Sequence, residues 1–174
     1  QIIEIIKNQY NNKNITDQIN ALASIMQIND KNIRDDYLNK FCNQWQENAL
    51  LMDKWFAVQA ISKHEDAIEN IHKLLSHPKF DANNPNKIYA LLAAFASQNP
   101  YKFHDISKKG YELISKQIIR LDKTNPQVAS RLVRAFMSWN QYSEPHKSYM
   151  LDSLKYMSQS CKSKDVMEII EKSI

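Results

Sequence analysis

The sequence predicts an all-α fold built from antiparallel helix pairs, and three observations carry that expectation. One glycine, Gly110, occurs in 174 residues. Three of the five prolines directly follow an asparagine: Asn84-Pro85, Asn99-Pro100 and Asn125-Pro126. Apolar residues then recur at spacings of three and four along most of the chain. A many-stranded sheet needs glycine for its tight turns, and a single glycine cannot supply them. Helices joined by polar loops have no such requirement.

Asn-Pro is a helix start for a physical reason. The N-cap residue has extended backbone angles, and its side chain accepts a bond from one of the first free amides. Proline at the next position loses no hydrogen bond and has φ fixed near the helical value. It also biases the preceding residue toward the extended geometry of a cap.

Taken in order, the first segment "QIIEIIKNQY" has a short apolar pattern, and three further helices are expected over about residues 16–28, 31–46 and 48–61. "SKHE" at Ser62–Glu65 has the form of a capping box opening the next helix. After Pro85, Ile88, Leu91, Leu92 and Phe95 fall on one helical face. Asn99-Pro100 opens only a short piece before a polar loop expected to end at Gly110. After Pro126 the face is Val128, Leu132, Ala135, Phe136 and Trp139. A helix starting near Ser143 buries Met150, Leu154 and Met157, and the last one groups Val166, Ile169 and Ile170. This gives about nine or ten helices, as a bundle or as a right-handed solenoid of armadillo or HEAT type. No repeat of fixed period is visible.

Composition sets further limits. The length suits one domain over residues 1–174, and a chain of this size can bury roughly 70% of its unfolded surface without disulfide or metal. The net charge is +4. The charges are dispersed, so no basic stripe with interleaved aromatics points to nucleic acid. No apolar run has the length of a membrane span. The N-terminus is no signal peptide, since Glu4 and Lys7 interrupt its apolar pattern. It lacks an initiator methionine and starts in mid-pattern, as expected for part of something larger. Cys42 and Cys161, far apart in helical patterns, suit buried thiols in a reducing compartment.

Catalytic constellations are missing. "HEDAI" at His64–Ile68 begins like the H-E-x-x-H zinc helix but carries isoleucine where the second ligand would stand. His64, His72, His77, His104 and His146 are expected at the surface. No cysteine has a histidine at motif spacing, and there is no G-x-S-x-G, Walker loop or dinucleotide fingerprint. Trp55 and Phe56 in "MDKWFAVQA" are expected to pack between helices. Arg131 and Arg134 are i, i+3 neighbours beside an apolar face, where an arginine can be plain solvated charge or can bind a carboxylate.

"MDKWFAVQA", "NPNKIYALLAAFASQNPYKFH" and "GYELISKQIIRLDKTNPQVASRL", in this order, resemble the C-terminal domain of bacterial aminopeptidase N, of the gluzincin zinc exopeptidases. The resemblance covers roughly residues 35–174. It implies a superhelical stack of armadillo or HEAT type that closes over a separate thermolysin-like domain and encloses the active site in a chamber. The zinc, its H-E-x-x-H helix, the G-[AG]-M-E-N strand and the oxyanion tyrosine would all lie upstream, so this segment would hold no cofactor and no catalytic residue. The full-length parent would be a cytoplasmic enzyme removing N-terminal residues, basic and apolar ones among them, from short peptides. Its partners would be its own catalytic domain and peptides, with neither nucleic acid nor membrane.

Three substrate-channel residues follow from the same resemblance. Arg131, in "NPQVASRL", matches an arginine facing the chamber on the leaving-peptide side. Lys87 keeps the first of two basic residues usual on the helix after Asn84-Pro85, and Tyr89 stands where the second would be. The alternative function, from another class, is a freestanding helical-repeat scaffold binding a protein or peptide partner.

Overall fold

The computed structural model describes all residues, Gln1–Ile174, and contains helices and turns with no strand. The chain divides into two compact units, Gln1–Asp81 and Ala82–Ile174.

The first unit holds α1 (Ile2–Tyr10), α2 (Ile15–Ile25), α3 (Lys31–Trp45), α4 (Ala49–Ala60) and α5 (Ala67–Leu75), each packed on the next or next but one. Three of the starts are capped as polar side chains dictate. Asn14 accepts from Thr16 N, Asp30 from Asn32 N and Ile33 N, and Asn48 from Leu51 N. Leu22, Ile25, Phe41, Met52, Phe56 and Ile71 are fully buried. Trp55 and Phe56 are core aromatics as expected. The Trp55 indole donates to Leu38 O at 2.9 Å, tying α4 to α3, and Phe56 meets Phe80 edge to face.

The capping box at Ser62–Glu65 does not form. α5 begins at Ala67, and its N-cap Asp66 makes no side-chain cap bond. Asp66 does not cap because its carboxylate is engaged elsewhere, 3.3 Å from Lys31 Nζ and 4.0 Å from Arg34 Nη2 on α3. His64 Nε2 likewise lies 3.0 Å from Met26 O at the end of α2. The stretch before α5 is thus a clamp onto earlier helices.

The second unit starts with α6 (Pro85–Ile88), which runs through a π-helical turn, Tyr89–Ala93, into α7 (Ala94–Gln98). Then come α8 (Pro100–Phe103), α9 (Lys109–Asp122), α10 (Pro126–Val133, ending in a 3₁₀ turn, Arg134–Phe136), α11 (His146–Ser160) and α12 (Lys164–Ser173). All three Asn-Pro starts have the expected cap: Asn84 accepts from Asn86 N, Asn99 from Lys102 N and Asn125 from Val128 N, at 3.0 to 3.2 Å.

These helices form two layers, α9 with α11 in the first and α10 with α12 in the second. α9 and α11 pack side by side and run parallel. Near their starts Lys108 Nζ sits 4.0 Å over the Tyr149 ring, and at their ends Asp122 accepts from Lys162 N and Ser163 N at 2.8 and 3.3 Å. α10 returns antiparallel to α9 through a three-residue connection and packs on α12, which returns from α11. α9–α10 and α11–α12 are therefore two stacked antiparallel pairs, the unit of an armadillo-type solenoid.

Gly110 is not the end of a loop. It is buried in the first turn of α9, and the left-handed residue before it is Lys108, with φ 64. A Cβ at position 110 would lie 2.5 Å from Phe103 O and 2.6 Å from Lys102 O. The glycine is thus required for a close approach of two backbones. That approach seats Phe103 against Phe95, Tyr111 and Phe136, with ring centroids 5.1 to 6.1 Å apart.

Four of the five histidines are half-buried rather than at the surface, His72 being the exposed one. His104 is held by two phenols, Tyr111 at 2.7 Å from Nδ1 and Tyr142 at 3.0 Å from Nε2. Burial, and then the His146 charge, pulls its pKa below the ordinary value, and burial also lowers that of His77. Burial pushes the Tyr111 phenol up to about 12.

Gly110→Ala should lower the unfolding free energy by about 3 kcal/mol, because backbone atoms must move to admit the methyl group. Denaturant unfolding would measure this, and an unchanged midpoint would contradict the close approach. A pH dependence follows from the histidines. The unfolded chain takes up protons near the ordinary histidine value of 6.5, while the folded chain resists them. The stabilisation is therefore complete above that value and is lost as pH falls toward the depressed folded values. Stability at about pH 5.5 should be lower than at about pH 7.5, and His104→Gln should flatten the difference.

Candidate functional site

The second layer of the Ala82–Ile174 unit brings two of the three expected channel residues together. Arg131 Nη1 donates to Tyr89 Oη at 2.8 Å, and its guanidinium carbon lies 5.7 Å from the centroid of that ring. The two residues are 42 positions apart, on different helices. Tyr89 opens the π-helical turn, and the residue after next on the arginine's own helix, Val133, is followed by a tightened 3₁₀ turn. Such local changes of winding re-aim side chains and are frequent at functional sites.

Arg131 and Arg134 are exposed and stand on a ridge between two shallow grooves. One, of about 260 Å³, lies toward α7 and is floored by Ala93, Ala96 and Ser97, small residues that leave room beside the arginines. The other, of about 360 Å³, lies toward α12, where Asp165 and Glu168 form its far wall. Glu168 is engaged at 2.7 Å by Lys172, which leaves the arginines their positive charge. Arg131's planar fork still has donors in hand after the bond to Tyr89. The ridge can thus hold a carboxylate or a peptide carbonyl.

Lys87 is placed differently. It is 6% exposed, within the first turn of the helix that carries Tyr89, and offers little of itself to solvent. Arg134 and the small-residue floor were not among the expected channel residues. Arg134 was visible in sequence as the i, i+3 neighbour of Arg131, whereas no local signal marks Ala93, Ala96 and Ser97 as the bed beside it.

No three His, Cys, Asp or Glu side chains converge to hold a metal ion. His64 and Glu65 of "HEDAI" precede α5 rather than lying along it, so the stretch has no zinc-helix geometry. Both cysteines are unpaired, and burial pushes the Cys161 thiol up to about 11, away from nucleophilic reactivity. No helix is long and apolar enough to cross a membrane.

Aminopeptidase N of Haemophilus influenzae is 37% identical over 98% of this chain, and that of Caulobacter vibrioides 34% over 93%. Aminopeptidase N of Escherichia coli is 34% identical over 83%. The crystal structure of Legionella pneumophila aminopeptidase A in complex with aspartic acid superposes with a TM-score of 0.93 at 33% identity over 98% of the chain. The chain spans only 16% to 20% of the length of these proteins. It is homologous to the C-terminal region of aminopeptidase N. Residues 1–174 match the family described as Domain of unknown function (DUF3458_C) ARM repeats, and the chain belongs to that family.

Proposed function

We infer that this chain is the C-terminal cap of a cytoplasmic zinc aminopeptidase that removes N-terminal residues from short peptides. The observation that supports this most is the extent of the match: nearly all of the chain aligns to about one fifth of proteins named Aminopeptidase N. A catalytic domain upstream then supplies the zinc and the bond-breaking residues. This part works by exclusion and positioning, closing a chamber that admits short unfolded peptides and keeps folded proteins out.

Within that chamber Arg131 holds the leaving side of the peptide. A fixed guanidinium fork loses little freedom on binding a carbonyl or a terminal carboxylate, and positioning of this kind lowers the barrier without any part in bond cleavage. Tyr89 restricts the fork through its 2.8 Å bond and its ring. Lys87, nearly buried, lines the same helix and leaves direct contact to the other two.

In the full-length enzyme, Arg131→Ala should raise KM for tri- and tetrapeptides roughly tenfold while changing KM for a chromogenic amino-acid amide little, since the amide has no leaving peptide to hold. Tyr89→Phe should produce the same pattern in smaller measure, because it frees the fork without removing it. Steady-state kinetics on both substrate types checks this, and equal effects on both would reject the leaving-side role.

A further inference from the structure

The first layer of the same unit contains a second site, independent of the arginine ridge and of the aminopeptidase reading. Between the parallel helices α9 and α11 lies a half-open groove of about 410 Å³, within the usual range for small-molecule sites. Its walls have a regular order that follows from the sequence. Lys108 caps the start of α9, Glu112 and Lys116 follow one turn apart along it, and Tyr149, Asp152 and Tyr156 recur every three or four residues on α11. Lys108 meets Tyr149 across the groove, and Glu112 and Lys116 line it from the side of α9 as Asp152 and Tyr156 do from α11.

Two features of this groove are unexplained by folding. Ser115 is 2% exposed, lines the groove, and has a buried hydroxyl with no hydrogen-bond partner. A helical serine ordinarily bonds the carbonyl one turn back, as Ser153 does to Tyr149 O at 2.9 Å across the groove. An orphaned buried hydroxyl lowers stability unless something bonds it. The second feature is charge. Neither Glu112 nor Asp152 makes an ion pair, although lysines stand at both ends of the same groove.

We propose that this groove binds a zwitterionic amino acid with an aromatic or large apolar side chain. The two carboxylates at mid-height match an ammonium group, and Lys108 or Lys116 matches the carboxylate. The rings of Tyr149 and Tyr156, the latter 50% exposed, give the apolar body a surface to stack on. A turn of the Ser115 side chain about χ1 brings its hydroxyl to a polar atom of the ligand and completes the site, which ends its isolation.

The test uses the 174-residue chain and three probes: L-phenylalanine, its amide, which lacks the carboxylate, and its N-acetyl derivative, which lacks the ammonium. Saturable binding is read by calorimetry and by NMR shifts of the α9 and α11 amides. The expected result is binding of L-phenylalanine at least tenfold tighter than of either derivative. Ser115→Ala should weaken it about tenfold while raising the thermal midpoint of the free chain by a few degrees, because the orphaned hydroxyl is gone. Asp152→Asn, a surface change that leaves folding alone, should also weaken it, and Lys172→Ala, away from the groove, should not. Absence of saturable binding by all three probes overturns the proposal. So does binding that is indifferent to Ser115→Ala and Asp152→Asn, or equal affinity for the acetyl derivative.

Discussion

The close approach of α9 to the backbone of Phe103, made possible by Gly110, is the constraint on which the rest of the second unit depends. Any Cβ there would meet two carbonyl oxygens at 2.5 and 2.6 Å. With none, the four-residue α8 is pressed against the first turn of α9 and its Phe103 enters the core. Phe103 then stands between Phe95, on the helix that carries Tyr89, and Phe136, at the end of the helix that carries Arg131. One aromatic ring thus packs against both of the helices whose Arg131 and Tyr89 meet at 2.8 Å.

The two layers divide the chemistry between them. The second layer carries exposed arginines between two shallow grooves, one of them floored by small residues. The first layer carries the histidine–tyrosine network at the start of α9 and α11, and below it the groove with the orphaned Ser115. At the far end of both helices Asp122 accepts from the backbone of Lys162 and Ser163, which ties α9 to the turn leading into α12. The register of α9 on α11 is thus held at both ends, and the groove between them cannot slide closed without breaking one set of bonds.

How much of this was legible in the sequence depended on how local the cause was. The Asn-Pro starts were readable because capping and the proline ring act within four residues. The all-helical architecture was readable because the apolar spacing persists in nearly every segment. "SKHE" misled for the opposite reason: the stretch ahead of α5 is held by distant groups, His64 by Met26 O and the following Asp66 by Lys31 and Arg34, and no local pattern announces that. Gly110 looked like loop punctuation, yet its absent side chain matters through a backbone seven residues earlier. The π turn at Tyr89 left no mark in composition, and the burial of Lys87 is a property of packing alone. Arg131 stood out in the sequence as a residue beside an apolar face, but its contact with Tyr89 could be found only in three dimensions.

The most direct measurement of what this chain does is the intact mass and zinc content of the native protein that carries it. A polypeptide several times larger than the 20.4 kDa of this segment, with one zinc per chain, is the result expected of a cap joined to its catalytic domain. A metal-free protein near 20.4 kDa would contradict that, and would leave a helical-repeat scaffold acting alone.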